Sequence, residues 1–282
     1  MKYTIIADSS CDLKNDYIKS SKVNLVTIPL VITISGKDII DEESLDTENL
    51  VVAMKANKDR PQTACPSPEA FADAMRSGNE NIICVTLTSK LSGTNNAARL
   101  GAESVLAENK GKNIFVLDTL STSAAMIIII DRLVELIESG KYSFEEIVAE
   151  IEKVSKSTRL RFLLQDLGNL VKTGRMSKVK GVIASTLNIH LICGENGEGE
   201  IQQFAKAIGT KKAIRILSEF PGEKKDCEKD TPIVITHCHN TEDAEALKDL
   251  IEKQFGFTNI KIMPMRGLAT FYANEKGLIL AY

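Results

Sequence analysis

Four stretches of this sequence crowd hydroxyl side chains beside small, flexible backbone. Residues 85–98 read VTLTSKLSGTNNAA, in which Thr88, Ser89, Ser92, Gly93 and Thr94 follow a short apolar run. The other three are Asp8-Ser9-Ser10, Thr63-Ala64-Cys65-Pro66-Ser67 and Asp118-Thr119-Leu120-Ser121-Thr122-Ser123. Hydroxyls and free N–H groups at a helix N-terminus suit an anion, because the helix dipole and the unpaired first-turn donors both favour negative charge. Taken singly, each loop is what an ordinary helix cap looks like; taken together they point to one anion-binding cleft. Leu170-Val171-Lys172-Thr173-Gly174-Arg175-Met176-Ser177 adds a cation. A glycine beside Arg175 at an expected helix start holds the guanidinium towards a cleft, where it pairs with carboxylate or phosphate. The plain alternative is a surface arginine following a C-cap glycine.

The tools of most catalytic sites are missing. There is no GxxxxGK[ST], no GxGxxG and no GxSxG, so neither a P-loop, a dinucleotide fold nor a nucleophile elbow is indicated. Ser92 has no sequence-evident histidine and acid partners. Histidine occurs only as His190, His237 and His239. His237-Cys238-His239 on a strand places both histidines on one face, but a metal needs three or four convergent ligands, and no metal site is expected. His190, among Leu and Ile, reads as a core or cleft histidine. Lys211-Lys212 reads as a solvated helix face.

The elements that must position these loops alternate. Tyr3 to Ala7, Ile82 to Leu87 and Ile114 to Leu117 are short apolar runs that read as buried strands. Helices are expected over roughly 92–109, 122–139 and 144–156, with Asp12, Asp46-Thr47-Glu48 and Ser67-Pro68-Glu69 as helix-opening signals. Val23 to Ile34 reads as one extended stretch with period-two apolar residues. Strands alternating with helices imply a parallel sheet covered on both faces, with ligands at the carboxyl ends of its strands. Beyond Ser155-Lys156-Ser157-Thr158 the pattern changes. Leu187 to Cys193 and Ile201 to Ile208 read as a hairpin joined by Gly194-Glu195-Asn196-Gly197-Glu198-Gly199. A helix from Thr210, a strand over 233–236, a helix over 241–255, a strand over 260–263 and a last apolar segment over 278–282 follow. The expected fold is thus two α/β domains, residues 1–156 with a mostly parallel sheet and residues 157–282 with a mixed sheet and helices.

Bulk composition excludes some classes. The 282 residues carry 35 Lys and Arg against 38 Asp and Glu, a formal charge of −3. That gives no electrostatic footprint for nucleic acid or an anionic membrane. The longest apolar run, Ala124 to Ile130, is far short of the ~20 residues a membrane span needs. Six cysteines without CxxC spacing or an evident signal peptide read as reduced thiols in the cytoplasm.

Together, DSSCDL at 8–13, T-x-x-PSPE at 63–69, TSKLSGT at 88–94, LxKTGRMS at 170–177 and GTKKA at 209–213 resemble the DegV family of bacterial fatty-acid-binding proteins, in family order and over nearly the whole chain. The resemblance implies a lipid held between two α/β domains, no catalysis by the chain itself, and no cofactor beyond the bound fatty acid. It also implies a fatty acid kinase subunit as partner, to which the carboxylate is presented. Matched by position, Thr63 and Ser92 correspond to the hydroxyls that hold the lipid carboxylate, with backbone near Gly93 beside them, and Arg175 to the motif arginine near the headgroup. Three departures stand out. The usual TSQP is Thr63-Ala64-Cys65-Pro66; the Lys-Pro after the arginine motif is His190-Leu191; and a region that usually reads like GxHxGPG is Ala269 to Glu275, with Thr270 where the histidine stands. These departures bear on service to a kinase more than on lipid binding.

The implied site is energetically adequate. At about 0.8 kcal/mol per buried CH₂, a chain of ~15 methylenes contributes on the order of 12 kcal/mol gross, against association costs of several kcal/mol or more. Hydroxyls and Arg175 need only keep the carboxylate from being buried unpaired. Ile127 to Ile130 are candidates to line the tail tunnel or simply to fill the core. The expectation is a monomeric fatty-acid-binding protein with Thr63, Ser92, Gly93, Arg175 and Thr270 at the ligand. Two readings compete: an enzyme acting on a small acyl or phosphorylated substrate in the same cleft, with Ser92 or Asp8 as nucleophile or base, and an interaction module whose loops only cap helices.

Overall fold

The structure, a computed structural model, describes residues 2–176, 188–224 and 227–282; Ser177 and Leu187 of the sequence reading lie outside these residues. Strands β1 (Tyr3–Asp8), β2 (Val23–Ile28), β6 (Asn81–Thr86) and β7 (Asn113–Asp118) form a wholly parallel sheet in the order β2-β1-β6-β7. β1 and β6 are buried along their entire length, as strands covered on both faces must be. Helices α2 (Pro68–Ser77), α3 (Thr94–Glu108), α4 (Ala124–Ser139) and α5 (Phe144–Ser157) accompany this sheet. The local signals act where expected: the Ser67 hydroxyl accepts from Ala70 N at the start of α2, and Ser143 and Glu146 close a capping box on α5.

A six-stranded mixed sheet comes from the second half. It comprises β8 (Leu160–Leu163), β9 (Ile189–Glu195), β10 (Ile201–Ile208), β11 (Ile233–His237), β12 (Ile260–Pro264) and β13 (Leu278–Ala281), ordered β10-β9-β8-β13-β11-β12. Only β11 and β12 pair in parallel. With it go α6 (Gly168–Lys172), α7 (Thr210–Glu223), α8 (Thr241–Phe255) and α9 (Gly267–Ala273). α4 packs against β11 and β13 as well as β2 and β6. A helix enclosed by two sheets must be apolar all round, which accounts for the run Met126-Ile127-Ile128-Ile129-Ile130, none of it more than 7% exposed.

Two expectations are corrected. The stretch from Val23 to Ile34 is two strands, because Pro29 has no N–H to continue a ladder. After it the chain leaves the parallel sheet and builds a small antiparallel one, β3 (Val31–Ile34), β4 (Lys37–Ile40) and β5 (Gln62–Ala64), in the order β4-β3-β5, with α1 (Thr47–Ala56) between β4 and β5 in sequence. Asp12 caps no helix. It ends a single 3₁₀ turn, Ser9–Cys11, in the left-handed conformation at φ 59°.

Candidate functional site

Between the sheets lies a cavity of about 110 Å³. That is several times the ~10–15 Å³ a single water requires, in an interior that otherwise packs densely. Leu87, Leu120, Phe162, Leu164, Leu268 and Ile279 give it an apolar wall drawn from the loops after β6 and β7, from β8 and its end, from β13 and from α9. The isoleucines of α4 do not line it and belong to the core.

Three of the expected residues meet at this cavity: Thr63, Ser92 and Arg175 all line it, and all are half-buried. Thr63 arrives on β5, the edge of the small sheet. Its Oγ1 lies 2.8 Å from the Tyr272 Oη. Ser92 precedes α3, with its Oγ 2.8 Å from Thr94 Oγ1 and accepting from Thr94 N at 3.3 Å. Arg175 follows a helix, α6; the helix start that the sequence reading expected there would fall on residues outside those described. After α6, Gly174 N donates to Val171 O and Arg175 N to Leu170 O, with Gly174 at φ +82°. This is a Schellman closure, which requires the left-handed residue that glycine supplies. The turn brings Arg175 back over the cavity, where Nε donates to Leu91 O at 3.4 Å and Nη1 to Thr173 O at 2.9 Å.

Gly93 and Thr270 stand elsewhere. Gly93 is exposed just before α3 and is not part of the cavity wall. Thr270 is fully buried. It sits on α9, and two residues along a helix differ by ~200°. Tyr272 therefore faces the cavity while Thr270 faces away, towards the buried Cys238 thiol. Tyr272 is the residue sequence reasoning missed in this segment; recognising 267–273 as a helix would have exposed the phase.

The loops at the strand ends divide the same way. Asp8-Ser9-Ser10 does not reach the cavity. It belongs to a buried acid cluster with Asp12 and Asp41. Asp8 accepts from Leu87 N at 2.7 Å and Ser10 N at 3.0 Å. Asp12 accepts from Arg266 N at 2.7 Å, and Asp41 from Gly267 N at 3.0 Å and Leu268 N at 2.9 Å. Burial pushes the Asp8 carboxyl up to about 6 and that of Asp12 up to about 7, and raises Asp41 also. Asp41 and Asp12 thereby fix the start of α9, and so Tyr272. A Cβ on Gly267 would come within 2.4 Å of Asp41 Oδ1, so glycine is what permits this close approach. Asp8, fully buried with its oxygens committed to backbone, is not presented as a base to any cavity ligand.

Ser121, Thr122 and Ser123 do line the cavity, as do Gly194 and Glu195 at the end of β9 and Gly199 of the loop after it, a stretch that sequence reasoning treated as a mere hairpin turn. Gly199, at φ +84°, lies so close to Thr88 that a Cβ would fall 2.2 Å from its Oγ1, and the Thr88 hydroxyl donates to Gly199 O at 3.0 Å. Three glycines in six residues exceed what a hairpin needs and were the available signal. His237 and His239 do not share a strand face: His237 ends β11 and accepts from Asn240 N, while His239, at φ +47°, has left the strand and meets Thr47. Burial lowers the His237 pKa. Among the described residues no group of three or more His, Cys, Asp or Glu is arranged to hold a metal.

The model of the DegV family ("Uncharacterised protein, DegV family") matches residues 2–280. The chain belongs to the DegV family. A DegV domain-containing protein of Streptococcus pyogenes is 34% identical over 282 residues, covering 100% of this chain and 99% of its own. Among solved structures, the Streptococcus pneumoniae fatty acid kinase B3 protein loaded with linoleic acid superposes with a TM-score of 0.94 at 33% identity, over 100% of this chain and 99% of its own. A DegV protein from Ruminococcus gnavus with vaccenic acid gives 0.93 at 30% identity, with the same coverage of the two chains. The mixed α/β architecture is thus that of DegV proteins. Among the described residues no helix is long and apolar enough to cross a membrane.

Proposed function

We propose that this chain binds a long-chain fatty acid, with the acyl tail in the cavity between the sheets and the carboxylate held by Thr63 and Ser92 under Arg175. The observation that carries the proposal is a largely apolar cavity whose wall includes Thr63, Ser92 and Arg175. The fatty acids bound to the S. pneumoniae and R. gnavus relatives support it. In this reading the tail supplies most of the affinity, and Thr63, Ser92 and Arg175 replace the water the carboxylate loses. Gly93 shapes the turn into α3 and Thr270 packs beneath α9, neither of them touching the ligand. Residues 1–156 and 157–282 act as two domains closing on the lipid, a division supported by the separate strand sets of the two large sheets.

The chain is non-catalytic in this account: it needs no cofactor and hands the carboxylate to a fatty acid kinase subunit. The likeness to a protein named as a fatty acid kinase component supports that partner. It works as a monomer in the cytoplasm, a location that the buried free thiols of Cys11, Cys84, Cys193 and Cys238 support. The test is mass spectrometry of an organic extract of the purified protein, with titration of palmitate and oleate. Co-purified fatty acid and saturable binding are expected; neither being observed overturns the reading.

A further inference from the structure

The cavity wall is not uniformly apolar. Ser121 and Thr122 from the β7–α4 loop and Glu195 at the end of β9 line the cavity beside the aliphatic residues. Leu120 and Ser123, which bracket the two hydroxyl residues, both have positive φ, +53° and +49°. Non-glycine residues hold that conformation only where the surroundings over-determine it, and such strain gathers at ligand sites. Among the described residues, two of the buried side-chain polar atoms that lack a hydrogen-bond partner belong to these lining residues: Ser121 Oγ and Glu195 Oε1. Ser121 is 6% exposed and Glu195 8%. Glu195 Oε2 accepts from Gly197 N. Oε1 faces the Arg161 guanidinium at 3.6 Å, a charge contact without a hydrogen bond. Arg161 is itself fixed by Phe204, whose ring centroid is 3.6 Å from Cζ, and by donation to Leu160 O and Glu195 O.

A cavity meant only for an unbranched hydrocarbon gains nothing from such groups, because buried polar atoms without partners are costly and in native proteins are rarely left so. A carboxylate oxygen needs a donor, and a serine hydroxyl serves as donor or acceptor. An alcohol on the ligand offers both functions from one atom. We propose that Ser121 and Glu195 form a polar subsite within the acyl cavity for a hydroxyl group carried on the chain, so that the ligand class includes hydroxylated long-chain fatty acids. This rests on the fatty-acid reading above and sharpens it from a generic acyl chain to an oxygenated one.

The test is displacement of a fluorescent fatty acid by stearate and by a set of monohydroxystearates differing in the carbon that bears the hydroxyl. It is run on the wild-type protein and on Ser121→Ala, which removes one oxygen without touching the Arg161–Glu195 contact. At least one positional isomer is expected to bind as tightly as stearate or more tightly. Ser121→Ala is expected to weaken that isomer about tenfold, the scale of a lost buried hydrogen bond, while stearate moves less than about twofold. If every isomer binds more weakly than stearate, or if the substitution shifts both ligands equally, the subsite is refuted while the fatty-acid reading stands. If stearate does not displace the probe at all, the parent reading fails and this one with it.

Discussion

Replacing Thr63 by valine keeps the shape of the side chain and deletes one oxygen, which isolates the role assigned to it. That oxygen lies 2.8 Å from the Tyr272 Oη. Both residues are half-buried, so the net worth of this neutral pair is about 0.5–1.5 kcal/mol. A hydrogen bond from Thr63 to a carboxylate is charge-assisted and worth about 1.5–3 kcal/mol, so Thr63→Val should raise the dissociation constant for oleate roughly 10–150-fold. Titration against oleyl alcohol supplies the control, since it has the same tail without the charge. The alcohol should lose affinity by about tenfold at most, so the preference for acid over alcohol narrows. Tyr272→Phe alone should weaken oleate less, and the double variant should fall short of the sum, because each single change already breaks the shared contact. Equal losses for acid and alcohol, or strict additivity of the two substitutions, would refute the assignment of Thr63 as the carboxylate ligand oriented by Tyr272.

Further outcomes follow from the same geometry. Ser92→Ala should cost roughly 1–3 kcal/mol of oleate affinity by leaving the carboxylate short of a partner; an unchanged dissociation constant in calorimetry removes Ser92 from the site. Gly199→Ala forces a Cβ to 2.2 Å from Thr88 Oγ1 at φ +84°, so denaturant unfolding should show a loss of at least about 1 kcal/mol. Stability should also depend on the acid cluster. Asp8 and Asp12, raised to about 6 and about 7, bind protons in the folded state at pH values where the unfolded chain, with carboxyls near 3.9, does not. Their contribution is therefore fully present below about pH 4 and is lost as pH rises through about 7. Melting temperatures should fall across that window, and Asp12→Asn should flatten the upper part of the curve; an unchanged profile in the variant excludes Asp12 as a source.

Much of the fold was legible because strands such as Tyr3–Asp8 and Asn113–Asp118 are short apolar runs between strong helix signals. The small sheet was hidden because one alternating stretch from Val23 to Ile34 is cut by a single proline. β8 was hidden because it is four residues long and includes a buried arginine, Arg161, whose charge is met only in the folded protein by Phe204 and Glu195. In the site, Thr63, Ser92 and Arg175 were recognisable by motif and do come to one cavity. Thr270 is named from the position of the family's histidine, whereas Tyr272 lines the cavity; the two differ by helical phase, which residue order cannot reveal until the helix is known. The DSSCDL segment was misjudged for a different reason. Its acids look like ligand-facing groups, but the structure uses them to tie β1 to the end of β6 and to the start of α9.

The account is tested most directly by a crystal structure of the protein with oleate. It predicts the chain in the cavity between the parallel and mixed sheets, with carboxylate oxygens within hydrogen-bonding distance of Thr63 Oγ1 and Ser92 Oγ and with Arg175 beside them. An empty cavity at saturating oleate, or a lipid whose carboxylate lies away from both hydroxyls, would contradict it.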